Sequence, residues 1–395
     1  MKKNYLLFLF ILLNLPAFAQ YVSLSEKAEI SILTIGPGDN LYDKFGHSAF
    51  RVNDPENDID YAFNYGVYDF DTPNFYTKFA QGKLLYKLAV SEFEPFLNSY
   101  KAQDRWVEEQ VLDLSYSEKQ GVFNFLQDNA KPENKYYKYD FLYDNCATRI
   151  RDVLVSVLGD KLKYNANLAE EGYTFRELIQ KNVHYNSWGS LGMDVAIGAV
   201  VDRKASSWEY QFLPEYVYKA NEGATIATAS GTTALVKTTK KLYDTEERPE
   251  SGNFFVSPLF IFGILGLLLV FVTYKNYKNQ QRSRYLDMLI FLVTGLIGVI
   301  LLLLWFATDH STTASNYNLL WAFPFSLLFF TLISRQTPKR WLQRYTFFLI
   351  LLLVLLGFHW ISGVQRFAVG LLPLLLGLAV RYIYLYRYLG DKNRN

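Results

Sequence analysis

The chain has 395 residues, a formal net charge of +2 and a single cysteine, Cys146, so no disulfide framework can form within it. The near-neutral total hides a split: residues 21–250 hold 25 Lys and Arg against 35 Asp and Glu, residues 251–395 hold 13 against 3. An acidic first half without a basic stripe argues against nucleic acid as the partner.

In chain order, Lys2 and Lys3 precede an apolar run over residues 5–13, and Ala17-Phe18-Ala19 offers a small-x-small cleavage site. That pattern predicts a signal peptide over 1–19, since the run is shorter than the roughly 20 residues that span a bilayer. Residues 20–222 then form an exported, periplasmic domain. Its signals are a strand over 29–35 ending at Gly36-Pro37-Gly38, and a hairpin pairing 47–52 with 59–65. Further strands are predicted at 84–90, 106–114 and 136–141, a helix at 117–129, and another from about Asn145 to the breaker Gly159. Residues 170–221 read as short helices and loops. This is an α+β domain with an antiparallel sheet.

Residues 223–253, rich in Thr, Ala, Ser, Gly and charge, read as a linker. Five apolar runs follow, at 254–274, 285–307, 319–333, 345–358 and 367–384, the third and fourth needing flanking residues to span. They predict an all-α, five-helix transmembrane domain over 254–385 with a tail at 386–395. Twelve of its thirteen Lys and Arg fall on one side, in alternate loops, at Arg381 near the end of the last run and in the tail, and the loops at 308–318 and 359–366 hold only Arg366. Positive charge marks the cytoplasmic side, so the C-terminus is expected inside and the chain in the inner membrane.

Cys146 follows Asp144 and Asn145, both favoured helix caps, so it lies in a first helical turn where the macrodipole favours thiolate. Cys146, Ile150, Val153 and Val157 share one helix face, which turns the sulfur toward the sheet. An inert buried cysteine is the ordinary alternative. A lone thiol kept in an oxidising compartment and placed at a capped helix start favours a nucleophile. Of the four histidines, His184 lies in a polar loop, and His310 and His359 lie at ends of membrane runs. His47 alone sits on a sheet strand. With residues 53–58 as the turn, Arg51 faces Asp60 and His47 faces Asn64, which gives thiol, base and orienter. Asn64 is thus a geometric choice. A one-residue slip would send His47 to the other face. No metal-ligand spacing or phosphate loop is present, and no cofactor is expected.

A strand histidine ahead of an Asn-Cys helix start resembles the circularly permuted papain-like thiol enzymes, the lecithin:retinol acyltransferase group. A closer likeness joins four elements: Phe45-Gly46-His47-Ser48-Ala49-Phe50-Arg51; Tyr139 to Arg149; Asp202-Arg203-Lys204 with Phe212-Leu213-Pro214-Glu215-Tyr216; and Asp309-His310 with Asn316-Tyr317-Asn318-Leu319-Leu320-Trp321. Together they look like the Lnb-type lipoprotein N-acyltransferases. That resemblance implies a Cys–His enzyme taking an acyl chain from phospholipid and placing it on the N-terminal amine of diacylglyceryl lipoproteins. His310, Asn316 and Asn318, in a loop at lipid head-group depth without Lys or Arg, are expected to help bind a substrate. Two other readings fit parts of the chain. A membrane-anchored cysteine peptidase or amidase accounts for Cys146 and His47 but not for five helices, and a non-catalytic scaffold leaves Cys146 dispensable.

Overall fold

The computed structural model describes residues 22–169, 172–229, 231–245 and 253–391. The expected signal peptide and the last residues of the expected tail lie outside the described residues.

The soluble half is built on a seven-stranded antiparallel sheet: β1 (Glu29–Ile35), β2 (His47–Asp54), β3 (Ile59–Val67), β4 (Leu85–Glu92), β5 (Val107–Leu112), β6 (Tyr136–Lys138) and the later β10 (Val236–Tyr243). Their spatial order is β10-β5-β1-β2-β3-β4-β6. Side chains alternate across the sheet, so β1 and β2 feed two cores at once. Ile30, Ile32, Phe50 and Val52 meet helices α3 (Tyr116–Ala130) and α4 (Cys146–Leu158). Leu33, Ile35 and Ala49 meet Phe93 and Phe96 of α2 (Phe93–Lys101). Each fully buried aliphatic or aromatic side chain contributes about 1.5–3 kcal/mol. Helices α1 (Phe75–Ala80) and α2 have no counterpart among the predicted elements. Helices α5 (Phe175–Lys181), α6 (Trp188–Ala196) and α7 (Pro214–Glu222) fill the stretch expected to be short helices and loops.

Three expectations are corrected. The supposed linker holds three strands: β8 (Thr225–Thr228) and β9 (Gly231–Ala234) make a small sheet with β7 (Leu162–Lys163) from the preceding domain, and β10 edges the main sheet beside β5. Thr and Val suit a pleated strand, and the exposed Lys240 and Lys241 guard a free edge against further pairing. The hairpin register is also shifted: Arg51 pairs with Ala62 and Phe50 with Phe63, because the strands run on to Asp54 and Ile59 and leave a shorter turn. A shift of two residues preserves every side chain's face. The third apolar run, finally, is interrupted. A 3-10 turn at Tyr317–Leu320 precedes Pro324 and the eight-residue α10 (Ser326–Ile333). Proline lacks the N–H and clashes with a continuous helix.

The remaining helices of the second half are long: α8 (Pro258–Lys278), α9 (Arg284–Phe306), α11 (Trp341–Ser362) and α12 (Leu372–Asp391). By length and apolarity all four could cross a membrane. Short α10 lies tight on α9, where a Cβ at Gly295 would stand 2.2 Å from the Leu327 nitrogen.

The two halves are fastened together. Gly198 N–H donates to Thr312 O at 2.9 Å and Ala199 N–H to Ser315 O at 3.0 Å. Leu259 N–H donates to Asn186 Oδ1 at 3.0 Å, and Arg366 N–H to Asp202 Oδ1 at 3.1 Å. Every one of these contacts lies on the side of the bundle whose loops lack Lys and Arg apart from Arg366.

Candidate active site

The start of α4 is held by an asparagine with no freedom left. Asn145 Oδ1 accepts from Ala147 N–H at 2.8 Å and Thr148 N–H at 2.9 Å, the cap expected of this residue type. Its Nδ2 donates to Phe141 O at 2.7 Å and Phe212 O at 2.8 Å. Thr148 Oγ1 closes a capping box by accepting from Asn145 N–H at 2.8 Å. One turn on, Arg149 Nη2 donates to Asp144 Oδ2 at 2.7 Å. Ile150, Val153 and Leu154 then bury against the sheet, which fixes the direction of the helix. Cys146 is thereby set at the first helical position, partly buried.

The histidine arrives from the other layer. His47 opens β2 and has the parity of Ala49, on the α2 side, where its ring stacks on Tyr100 at 6.2 Å. Cysteine and histidine meet where β2 begins at His47, beside Gly66 of β3. Gly66 sits in an irregularity of the β3–β4 pairing at φ +87°, a conformation glycine alone adopts without strain. A Cβ there would lie 3.5 Å from Cys146 Cβ and 3.8 Å from His47 Cε1. Asn64, now a diagonal rather than a direct cross-strand neighbour, still reaches the ring: His47 Nε2–H donates to its Oδ1 at 2.6 Å. With Nε2 committed, Nδ1 is the nitrogen left for the sulfur.

The electrostatics pull the two groups toward charge separation, thiol downward and imidazole upward. Burial pushes the Cys146 thiol up, but the charge and hydrogen bond of His47 more than offset it, so the thiol lies below its ordinary value. Backbone N–H groups of Ser48 and Ala147 also point at the sulfur and hold it down. Burial presses the His47 imidazole down, while the charge and hydrogen bond of Cys146 and the hydrogen bond to Asn64 lift it; the net is upward, against a smaller push from Arg105. The neighbouring Tyr100, Tyr137 and Tyr139 are held in the neutral form, their phenols raised by burial and by the sulfur's charge. The arrangement can form a nucleophile, shuttle one proton and surround the reacting sulfur with neutral rings.

Of the residues singled out in the sequence, Cys146, His47 and Asn64 come together. The expectation that Asn316 and Asn318 face a substrate is corrected: both are buried and their amides are used in the fastening of the two halves. Asn316 Nδ2 donates to Val195 O and Ala196 O at 2.8 and 3.0 Å. Asn318 Nδ2 donates to Asp194 O at 3.0 Å, and its Oδ1 accepts from Trp321 Nε1 at 2.9 Å. A polar loop at head-group depth suggests binding, but the Nδ2 donors of both amides are spent within the protein, chiefly on the carbonyls of α6. His310 lies at the end of α1, with Nε2 3.2 Å from Ala80 O. Sequence reasoning missed Gly66 and the Ser48 N–H; a glycine inside a strand pattern two residues after Asn64 was the available signal for the irregularity.

A sheet domain with a cysteine–histidine pair, fastened to a bundle of apolar helices, defines a membrane protein with a thiol centre in its soluble half. Family models give that class a name. The Lnb N-terminal periplasmic domain matches residues 17–181, and the Lnb transmembrane domain matches residues 249–393. The chain belongs to the Lnb family, and its N-terminal part is periplasmic. Neither a curated protein nor a solved structure matched it.

Proposed function

We propose that the protein is a lipoprotein N-acyltransferase with Cys146 as nucleophile, His47 as base and Asn64 as the residue that orients the ring. The observation that carries this reading is the sulfur facing the imidazole whose far nitrogen donates to Asn64 at 2.6 Å. The strand histidine preceding the helix cysteine supports a permuted papain-like arrangement. The soluble half is fastened to the Lys- and Arg-poor face of the bundle, which supports a periplasmic thiol, a cytoplasmic C-terminus and an inner-membrane location.

The chemistry proceeds in two halves. The Cys146 thiolate attacks the ester carbonyl of a phospholipid, and the Cys146 N–H, the first-turn donor that the Asn145 cap does not occupy, stabilises the oxyanion. Collapse breaks the ester C–O bond; the His47 imidazolium protonates the departing lysophospholipid oxygen, leaving a thioester. The α-amine of a lipoprotein's lipidated cysteine then attacks the thioester, His47 takes its proton, and the C–S bond breaks to release the amide and restore the thiolate. Both substrates are lipids of the outer leaflet, which explains why the thiol domain is fastened to a lipid-embedded bundle. Water must be kept from the thioester, or the enzyme becomes a lipase.

The test is expression in cells lacking their own lipoprotein N-acyltransferase, followed by mass measurement of lipoprotein N-terminal peptides. The expected result is a gain of one acyl chain, lost with C146A and with H47A. Cleaved cell-wall peptide in place of an added chain would favour a peptidase or amidase, and a chain that survives C146A would remove the mechanism.

A further inference from the structure

Residues 68–84 connect β3 to β4, contain α1, and hold an unusual concentration of exposed aromatic surface: Phe70 is 68% exposed, Tyr76 81% and Phe79 52%. Apolar surface of this kind marks a site that meets something apolar. The connection does not float free. Asp309 N–H donates to Gln81 O at 2.8 Å, His310 Nε2 lies 3.2 Å from Ala80 O, and Lys138 pairs with Asp309 at 3.2 Å. Residues 309–310 directly follow the end of α9, where the Trp305 and Phe306 rings stack and Phe306 is 72% exposed. Aromatic rings at the end of a spanning helix sit at the lipid–water boundary. The exposed rings of the connection are therefore pinned to the end of a membrane helix.

From that boundary a line of rings leads inward. Phe79 stacks on Phe75 at 6.3 Å, Phe75 meets Tyr68 at 5.8 Å, Tyr68 meets Tyr86 at 5.3 Å, and Tyr86 stacks on Tyr139 at 4.3 Å. Tyr68 of this line follows Gly66 by two residues, and a Cβ at Gly66 would lie 3.5 Å from Cys146 Cβ, so the line runs beside the thiol. We propose that the 68–84 connection inserts its aromatic side chains into the outer leaflet and leads a phospholipid acyl chain along this line of rings to Cys146. The proposal rests on the acyl-transfer reading for its purpose, but the membrane insertion stands on the exposed rings and their pinning to α9.

Two measurements on the full chain in phosphatidylethanolamine–phosphatidylglycerol vesicles test it. In the first, p-benzoylphenylalanine is placed at position 70, 76 or 79 and irradiated, with position 61 at the far end of β3 as control. Phospholipid adducts at the three positions and none at 61 are expected; no adduct at any of the three would overturn the insertion. In the second, F70N, Y76N and F79N are combined, changes confined to exposed rings. A drop of at least about tenfold in acylation of Cys146 by vesicle phospholipid is expected, with melting and iodoacetamide alkylation of Cys146 unaltered. Acylation equal to that of the unaltered protein would overturn the route. Failure of the unaltered protein to acylate at all would instead remove the acyl-transfer reading, which the adduct measurement does not depend on.

Discussion

Replacing His47 by alanine is expected to move the alkylation profile of Cys146 to higher pH. In the unaltered protein the inflection should fall below the free-thiol value of about 8.5, because the imidazolium favours the charged form of the sulfur. Below its own pKa the thiol is protonated and slow, so a lowered pKa shows as a faster reaction near neutral pH. Removing His47 takes away the charge and the hydrogen bond but leaves the burial that opposes ionisation. The inflection should therefore rise, held back only by the Ser48 and Ala147 N–H groups that remain. N64A should act in the same direction and more weakly, since Asn64 supports the charged ring through a single hydrogen bond. The measurement is the iodoacetamide rate against pH for the three proteins in detergent. Superimposable profiles for the unaltered protein and H47A would make Cys146 a structural cysteine.

The second large effect belongs to stability. Arg176 of α5 is fully buried and holds the region where the two halves meet. Its guanidinium reaches Asp194 at 2.8 Å and Asp202 at 2.9 Å, and donates to Gly198 O at 3.0 Å. Burial pushes both carboxyls up, and Arg176 is the main force holding them down. R176A leaves two buried acids without their cation, a loss of about 3–5 kcal/mol. Asp202 also receives Arg366 N–H, and Gly198 donates to Thr312 O, so the damage should extend to the fastening of the two halves. Melting in detergent should fall by about 6–20 °C. R176K, which restores a charge but not the fork, should recover part of it. An unchanged midpoint for R176A would show that the cluster is not a structural joint.

Much of the site could be read from the sequence because its parts obey local rules. Asn145-Cys146 ahead of an apolar helical stripe defines the cap and the face of α4, and alternation along β1 and β2 defines both cores. His47 and Asn64 were found on one face even though the register was wrong by two residues, since such a shift keeps parity. What escaped the sequence lacked a local signature. β10 has few buried side chains, so Thr and Lys resembled linker, and its partner β5 lies far back in the chain. α1 is too short for periodicity to register, and its exposed rings gain meaning only from their contact with the end of α9. Asn316 and Asn318 looked available because nothing in the sequence shows the carbonyls of α6 that occupy them.

The most direct measurement of the central claim is the mass of the Cys146 peptide after the purified protein meets vesicle phospholipid in the absence of lipoprotein. A thioester-linked acyl chain on that peptide, removed by hydroxylamine, lost in C146A and strongly reduced in H47A, is the predicted result. An unmodified Cys146 peptide from protein that still transfers acyl chains to lipoproteins would contradict the account.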